Sequence, residues 1–218
     1  MSYFKDLLAT GEIYHIYNRS IIGDKVFPDK RSLERFKETI FYYLRTNPGC
    51  SYSKKEEGKS LFQQKYDKDK RLSELIAYCI MPNHFHLILK QLDENGISVY
   101  IGRLLNSYSR YYNTRFKRKG PLWEGRFNRK RVETDEDLLH LTRYIHLNPA
   151  TSYLVEDPVD YPYSSYKSYL SGADRGSIQA KKYLGSNFSP SQYKSFVLNR
   201  KDYQRYLDKI RHLLLEKT

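Results

Sequence analysis

Two imidazoles stand two residues apart in the stretch Ala77-Tyr-Cys-Ile-Met-Pro-Asn-His-Phe-His-Leu-Ile-Leu-Lys90. The stretch reads as two buried strands joined by a tight turn at Pro82-Asn83, the second opening with His84-Phe85-His86. Side chains alternate faces along a strand, so His84 and His86 share one face and Phe85, Leu87 and Leu89 the other. An apolar Phe/Leu/Leu face can pack on helices and leave the imidazoles on the opposite side. Two imidazoles on one rigid face are half of a metal site, or else two partly buried structural histidines.

A second set of reactive groups follows Thr134-Asp-Glu-Asp, a Thr N-cap with acids in the first helical turn. The spacing predicts a helix from Asp135 to Leu147, ending before Asn148-Pro149 because the residue preceding proline avoids helical geometry. His140, Tyr144 and Asn148 are spaced by four and share one helical face, beside an apolar stripe of Leu138, Leu141 and Ile145. A phenol one turn from a carboxamide is a candidate nucleophile with a candidate ligand. Tyr108, Tyr111 and Tyr112 compete for the nucleophile's role. The first and last lie on an apolar stripe and read as core, and Tyr111 as a base-stacking residue.

Charge bounds what such groups act on. The 218 residues hold 38 Lys and Arg against 25 Asp and Glu, a net charge of +13, with 22 Tyr. An excess of that size favours a polyanionic partner, nucleic acid before an anionic membrane, and aromatics among cations suit stacking on unpaired bases. Between Arg103 and Arg131 the only acid is Glu124. A solvated helix face would mix signs, so this run reads as a nucleic-acid groove. Arg103, Arg110, Arg115, Lys117, Arg118, Lys119, Arg126, Arg129, Lys130 and Arg131 are its candidate DNA contacts, with Asn18 and Arg19 at the exit of the first strand. Cys50 and Cys79 are too few and too far apart for a thiolate cluster or a disulfide framework. No signal-peptide pattern and no apolar run of membrane-spanning length is evident, which predicts a soluble, cytoplasmic protein.

Glu12 to Arg19 reads as the first strand. A helix from Lys30 to Arg45 follows, and then a charged, exposed excursion over 51–71. The two-strand hairpin comes next, then a long helix from Ser98 to Lys117 carrying Ile101, Leu104 or Leu105, Tyr108 and Tyr112, and a loop through Trp123 entering a strand. Strand, helix, strand, strand, helix, strand is the split βαβ order, so the expected class is α+β with a ferredoxin-like antiparallel sheet and one further helix covering it. Beyond a Gly/Ser-containing link at 171–177 the tail reads as short basic helices, one starting at Ser189-Pro190 and one over Leu207 to Leu215. The expected organisation is a domain over 1–170 and a helical extension over 171–218.

Five blocks occur in order: Tyr14-His-Ile-Tyr-Asn-Arg19, Tyr78 to Leu87, Gly120-Pro-Leu-Trp-Glu-Gly-Arg-Phe127, Arg143-Tyr-Ile-His-Leu-Asn-Pro149, and Asp160-Tyr-Pro-Tyr-Ser-Ser-Tyr166. This pattern resembles the single-tyrosine HUH nucleases, and most of all the REP-associated tyrosine transposases and their insertion-sequence relatives. The likeness covers roughly residues 10 to 170; the tail is less typical. It implies that His84, His86 and Asn148 hold a divalent cation, Mg²⁺ or Mn²⁺, and that Tyr144 is the nucleophile. It further implies cleavage and rejoining of single-stranded DNA through a 5′-phosphotyrosine, with imperfect hairpins as substrate and a monomeric or homodimeric protein. The alternative is a non-catalytic, domesticated protein that binds DNA or RNA hairpins, which would need none of these four residues.

Overall fold

The computed structural model describes residues 7–22, 25–56, 70–171, 182–183 and 189–201. The strands are β1 (Ile13–Arg19), β2 (Ser73–Ile80), β3 (His84–Gln91) and β4 (Asn128–Val132). The helices are α1 (Lys30–Tyr42), α2 (Tyr52–Glu56), α3 (Gly96–Arg115), α4 (Asp135–Thr151), a 3₁₀ turn at Pro158–Asp160, α5 (Tyr166–Ser171) and α6 (Pro190–Leu198). The strands form one four-stranded sheet in the order β2-β3-β1-β4. This is the expected α+β, ferredoxin-like arrangement, with the short α2 inserted after α1. The helix expected over Leu207 to Leu215, the 171–177 link beyond Ser171 and most of the 51–71 excursion lie outside the described residues. Among the described residues no helix is long and apolar enough to cross a membrane.

The chain divides into two compact units, residues 1–75 with 82–132, and residues 76–81 with 133–218. In the first, β1 runs antiparallel to both β3 and β4, with Tyr17 opposite His86 and Asn128, and Arg19 opposite His84. Residues directly opposite share a face. One face therefore carries Tyr14, Ile16, Phe85, Leu87 and Leu89, all fully buried. The other carries His15, Tyr17, Arg19, His84 and His86. Helices α1 and α3 pack on each other, and α3 packs on β3. Phe27, Phe36, Phe85, Tyr108 and Trp123 form an aromatic cluster, Trp123 standing edge-on to Phe85 at 5.5 Å between ring centres. Removing each such ring from water contributes about 1.5–3 kcal/mol. The start of α3 needs glycine, because a Cβ at position 96 would lie 2.1 Å from the Leu72 carbonyl oxygen.

In the second unit the Tyr161–Tyr169 segment lies along residues 76–80. Ile80 N–H donates to Tyr163 O, Ser165 N–H to Tyr78 O, and the Tyr161 and Tyr169 hydroxyls to Ile80 O and Ile76 O. An edge strand with unpaired backbone groups invites aggregation, and here the tyrosine-rich segment occupies them. Helix α4 packs on α6 and on the 3₁₀ turn. It does not end before Asn148-Pro149 as the proline rule predicts, but runs to Thr151. Leu147 to Thr151 are all buried, and that packing outweighs the local pre-proline preference. Tyr153 then closes the helix in the left-handed region at φ 54°.

Candidate functional site

His84 and His86 stand side by side on β3, ring centres 5.0 Å apart and planes nearly perpendicular. Asn83 Oδ1 lies 2.6 Å from His84 Nδ1. A carboxamide oxygen only accepts, so His84 donates from Nδ1 and keeps its lone pair on Nε2. His86 Nδ1 lies 2.9 Å from Nε2 of His15. With His86 as the donor, its lone pair too is on Nε2. Burial, and then the charge of Arg19, pushes His84 down to about 4. His86 is held well below its ordinary value by burial, then by His84 and His15. His15 is lowered to about 4 by burial and by Lys130. All three rings are therefore neutral at pH 7, the form a metal ion requires, with no proton to displace.

His15 reads from the sequence as structural. The structure makes it the hydrogen-bond partner that orients His86, as ligating histidines commonly require. Its only sequence signal is the i, i+2 spacing with Tyr17 on β1. Tyr17 completes this patch, with its ring 5.0 Å from His15 and 6.0 Å from His86, and it is 38% exposed. Among the described residues no three His, Cys, Asp or Glu side chains come together as a metal cluster. Two neutral imidazoles on one face are nitrogen donors of the kind that suits a divalent transition-metal ion such as Mn²⁺.

On α4 in the second unit, Tyr144 is 39% exposed while Asn148, one turn on, is 8% exposed. The Asn148 amide nitrogen is buried and, among the described residues, has no hydrogen-bond partner. Leaving such a donor unsatisfied costs about 1–3 kcal/mol, and groups of that kind concentrate at working sites. Between them on the chain, His146 is fully buried. Its Nδ1 lies 2.7 Å from the Tyr193 hydroxyl on α6 and its Nε2 lies 2.7 Å from Ser165 Oγ. Ser165 Oγ in turn bonds the backbone N–H and carbonyl of Tyr78. This network, which the sequence pattern did not reveal, fastens α4 to three other segments of its unit. His140 is exposed and pairs with Arg143 at 2.7 Å.

The expected phosphate contacts separate into two groups. Asn18 is corrected outright: it is 1% exposed, donates to Gly125 O and Arg126 O at 3.1 Å, and accepts from Arg19 N–H. No part of it is left for a phosphate. Arg115 is committed to Asp29 and to the Tyr111 hydroxyl, and Arg35 lies over the Tyr111 ring at 5.0 Å, where a base would stack. Arg103 binds the carbonyls of Arg45 and Thr46, Arg118 those of Gly120 and the Asn113 side chain, and Arg131 pairs with Glu12. Lys117, Lys119, Arg126 and Lys130 are exposed, and among the described residues their side chains make no hydrogen bond or ion pair. Arg19 and Arg110 are exposed as well, and Arg129 is half-buried.

Comparison with known proteins finds similarity to transposases. Residues 50–148 match the family model described as "Transposase IS200 like". More particularly, the chain is similar to a putative REP-associated tyrosine transposase of Haemophilus influenzae. The two are 33% identical over 104 residues, 43% of this chain and 58% of that protein, so the match spans less than two thirds of the relative. The solved structure of a REP-associated tyrosine transposase bound to a REP hairpin shares the fold. Its TM-score is 0.53 at 16% identity, covering 83% of this chain and 90% of that one. The resemblance read from the sequence stands.

Proposed function

We propose that this protein is a transposase-like nuclease that cuts and rejoins single-stranded DNA at hairpins, with Tyr144 as the nucleophile. The observation that carries the reading is the pair His84 and His86, neutral at pH 7 and oriented by Asn83 and His15. They and Asn148 are the residues that would hold Mg²⁺ or Mn²⁺. Such an ion, when bound, draws charge from the scissile phosphate and orients it. A phenol titrates near pH 10 and is a weak nucleophile on its own, so positioning matters. The Tyr144 hydroxyl gives up its proton to solvent as its oxygen attacks phosphorus, the phosphorus bond to the 3′-oxygen breaks, and that oxygen leaves as a 3′-hydroxyl with a proton from solvent. The product is a 5′-phosphotyrosine. A 3′-hydroxyl attacking it restores the phosphodiester and the phenol, so strands rejoin without ATP.

The hairpin substrate is supported by two things. One is the related transposase solved on a REP hairpin. The other is the set of uncommitted cations at Lys117, Lys119, Arg126 and Lys130. The test is incubation with labelled hairpin single strands and Mn²⁺, read as a covalent adduct on a denaturing gel. An adduct on the parent that is absent from Tyr144→Phe supports the reading. Tight hairpin binding with no adduct from the parent would make the protein a binder instead.

A further inference from the structure

Arg143 stands next to Tyr144 on α4, and the chemistry above gives it no role. Its guanidinium lies 4.3 Å from the centre of the Phe196 ring on α6. Nη2 donates to His140 Nδ1 at 2.7 Å, since a guanidinium cannot accept. The Glu136 carboxylate is on the far side of that imidazole, 3.8 Å from Nε2. Among the described residues no carboxylate pairs with Arg143 itself. Arginines that only link segments of this chain are bound otherwise: Arg115 neutralises Asp29, and Arg103 holds two carbonyls. Burial, and then the charge of Arg200, act against the protonated form of Arg143. Like charges held close cost free energy, and a bound anion offsets that cost. His140 lies one turn before Tyr144 on the same face, and a helical side chain leans back over the turn that precedes it. The 39% exposed Tyr144 and the Arg143 guanidinium thus rise over one turn of α4.

We propose that Arg143 is a catalytic residue whose guanidinium contacts the scissile phosphate as the Tyr144 oxygen attacks. While the bond to tyrosine forms and the bond to the 3′-oxygen breaks, charge spreads over the non-bridging oxygens. A fixed fork of N–H donors stabilises that charge without having to reorganise. The guanidinium keeps its proton throughout and takes none from the phenol. Phe196 and His140 are positioning residues: the ring supports the guanidinium plane, and the imidazole fixes one of its nitrogens. Helix α6 lies beyond residues 50–148, so the platform comes from outside the segment that the family model matches. The identity of the anion as a scissile phosphate rests on the function proposed above.

The test uses labelled hairpins with unpaired flanks, in which one phosphate at a time is replaced by a neutral methylphosphonate. Anisotropy is measured with the non-cleaving Tyr144→Phe protein, with and without Arg143→Met, which keeps a linear chain against Phe196 and removes the charge. At one linkage the methylphosphonate should weaken binding to Tyr144→Phe about tenfold, the scale of one hydrogen bond to a charged group. With Arg143→Met added, that linkage should show no further loss, because the two changes remove one interaction. The linkage should be the one the parent cuts, as mapped from its covalent adduct. Arg143→Met alone should slow adduct formation about 100-fold at saturating hairpin. An unchanged Tm establishes that the variant folds; if Tm falls, Arg143→Gln carries the comparison. An adduct from the parent with no coupled linkage, or with coupling only at an uncut linkage, overturns the proposal and leaves the nuclease reading standing. Coupling at one linkage with no adduct from the parent overturns the nuclease reading and leaves the phosphate contact.

Discussion

At Tyr144 the chemistry depends on one oxygen atom. Tyr144→Phe keeps a half-exposed ring and its packing, so hairpin affinity should stay within about twofold while the covalent adduct disappears. Persistence of the adduct would move the nucleophile elsewhere. Tyr17 is then the next phenol to test, because its ring lies 6.0 Å from His86, whereas Tyr111 is covered by Arg35. His15 acts through His86. Removing it takes away the hydrogen bond between His15 Nε2 and His86 Nδ1, so His15→Ala should weaken Mn²⁺ binding about 10–100-fold by calorimetric titration. His15→Gln, which can still hydrogen-bond, should recover part of that loss. Equal Mn²⁺ affinity in all three proteins would assign His15 to packing alone.

Among the elements, α4 is set in its unit by His146. Burial lowers this ring to about 3, below its ordinary value of 6.5. The folded state therefore binds fewer protons than the unfolded chain between those values. The stability this contributes is present above pH 6.5 and is lost as pH falls toward 3. Thermal melts should show Tm declining over that window. His146→Asn cannot reach both Ser165 and Tyr193 and should cost about 2–4 kcal/mol at pH 7, with a shallower decline in acid. A variant whose Tm falls as steeply as the parent's would remove His146 as the cause. At the start of α3 the limit is steric. Gly96→Ala drives a methyl into the Leu72 carbonyl, and the backbone shift should cost about 1–3 kcal/mol, seen as a Tm lowered by several degrees.

Over the whole molecule the +13 charge acts through salt. Each phosphate neutralised on a single strand contributes about 0.7 to the slope of log affinity against log salt. Lys117→Ala, Lys119→Ala, Arg126→Ala and Lys130→Ala should each flatten that slope by up to about 0.7. Arg115→Ala should leave the slope unchanged and lower Tm instead, because its charge is spent on Asp29. A salt series on labelled hairpins separates the two outcomes. A parent whose affinity hardly changes with salt would mean the basic run is only a solvated surface.

Periodicity alone determined the strand and helix order, the common face of His84 and His86, and the i, i+4 relation of Tyr144 and Asn148, because these follow from local backbone geometry. The likeness to the REP-associated tyrosine transposases and their insertion-sequence relatives rested instead on five blocks that are contiguous words in the chain. Partners distant in sequence were not legible. His15 meets His86 only through the β1–β3 register, and His146 meets Ser165 and Tyr193 only through the packing of α4, α6 and the tyrosine-rich segment. Charge pattern could not separate Arg115, paired with Asp29 across 86 residues, from Lys117, which points to solvent. Asn18 looked like a phosphate contact because its polarity is visible in the sequence and its burial is not. The end of α4 was misjudged for the same reason: the pre-proline preference is local, and the burial of Leu147 to Thr151 that overrode it is tertiary.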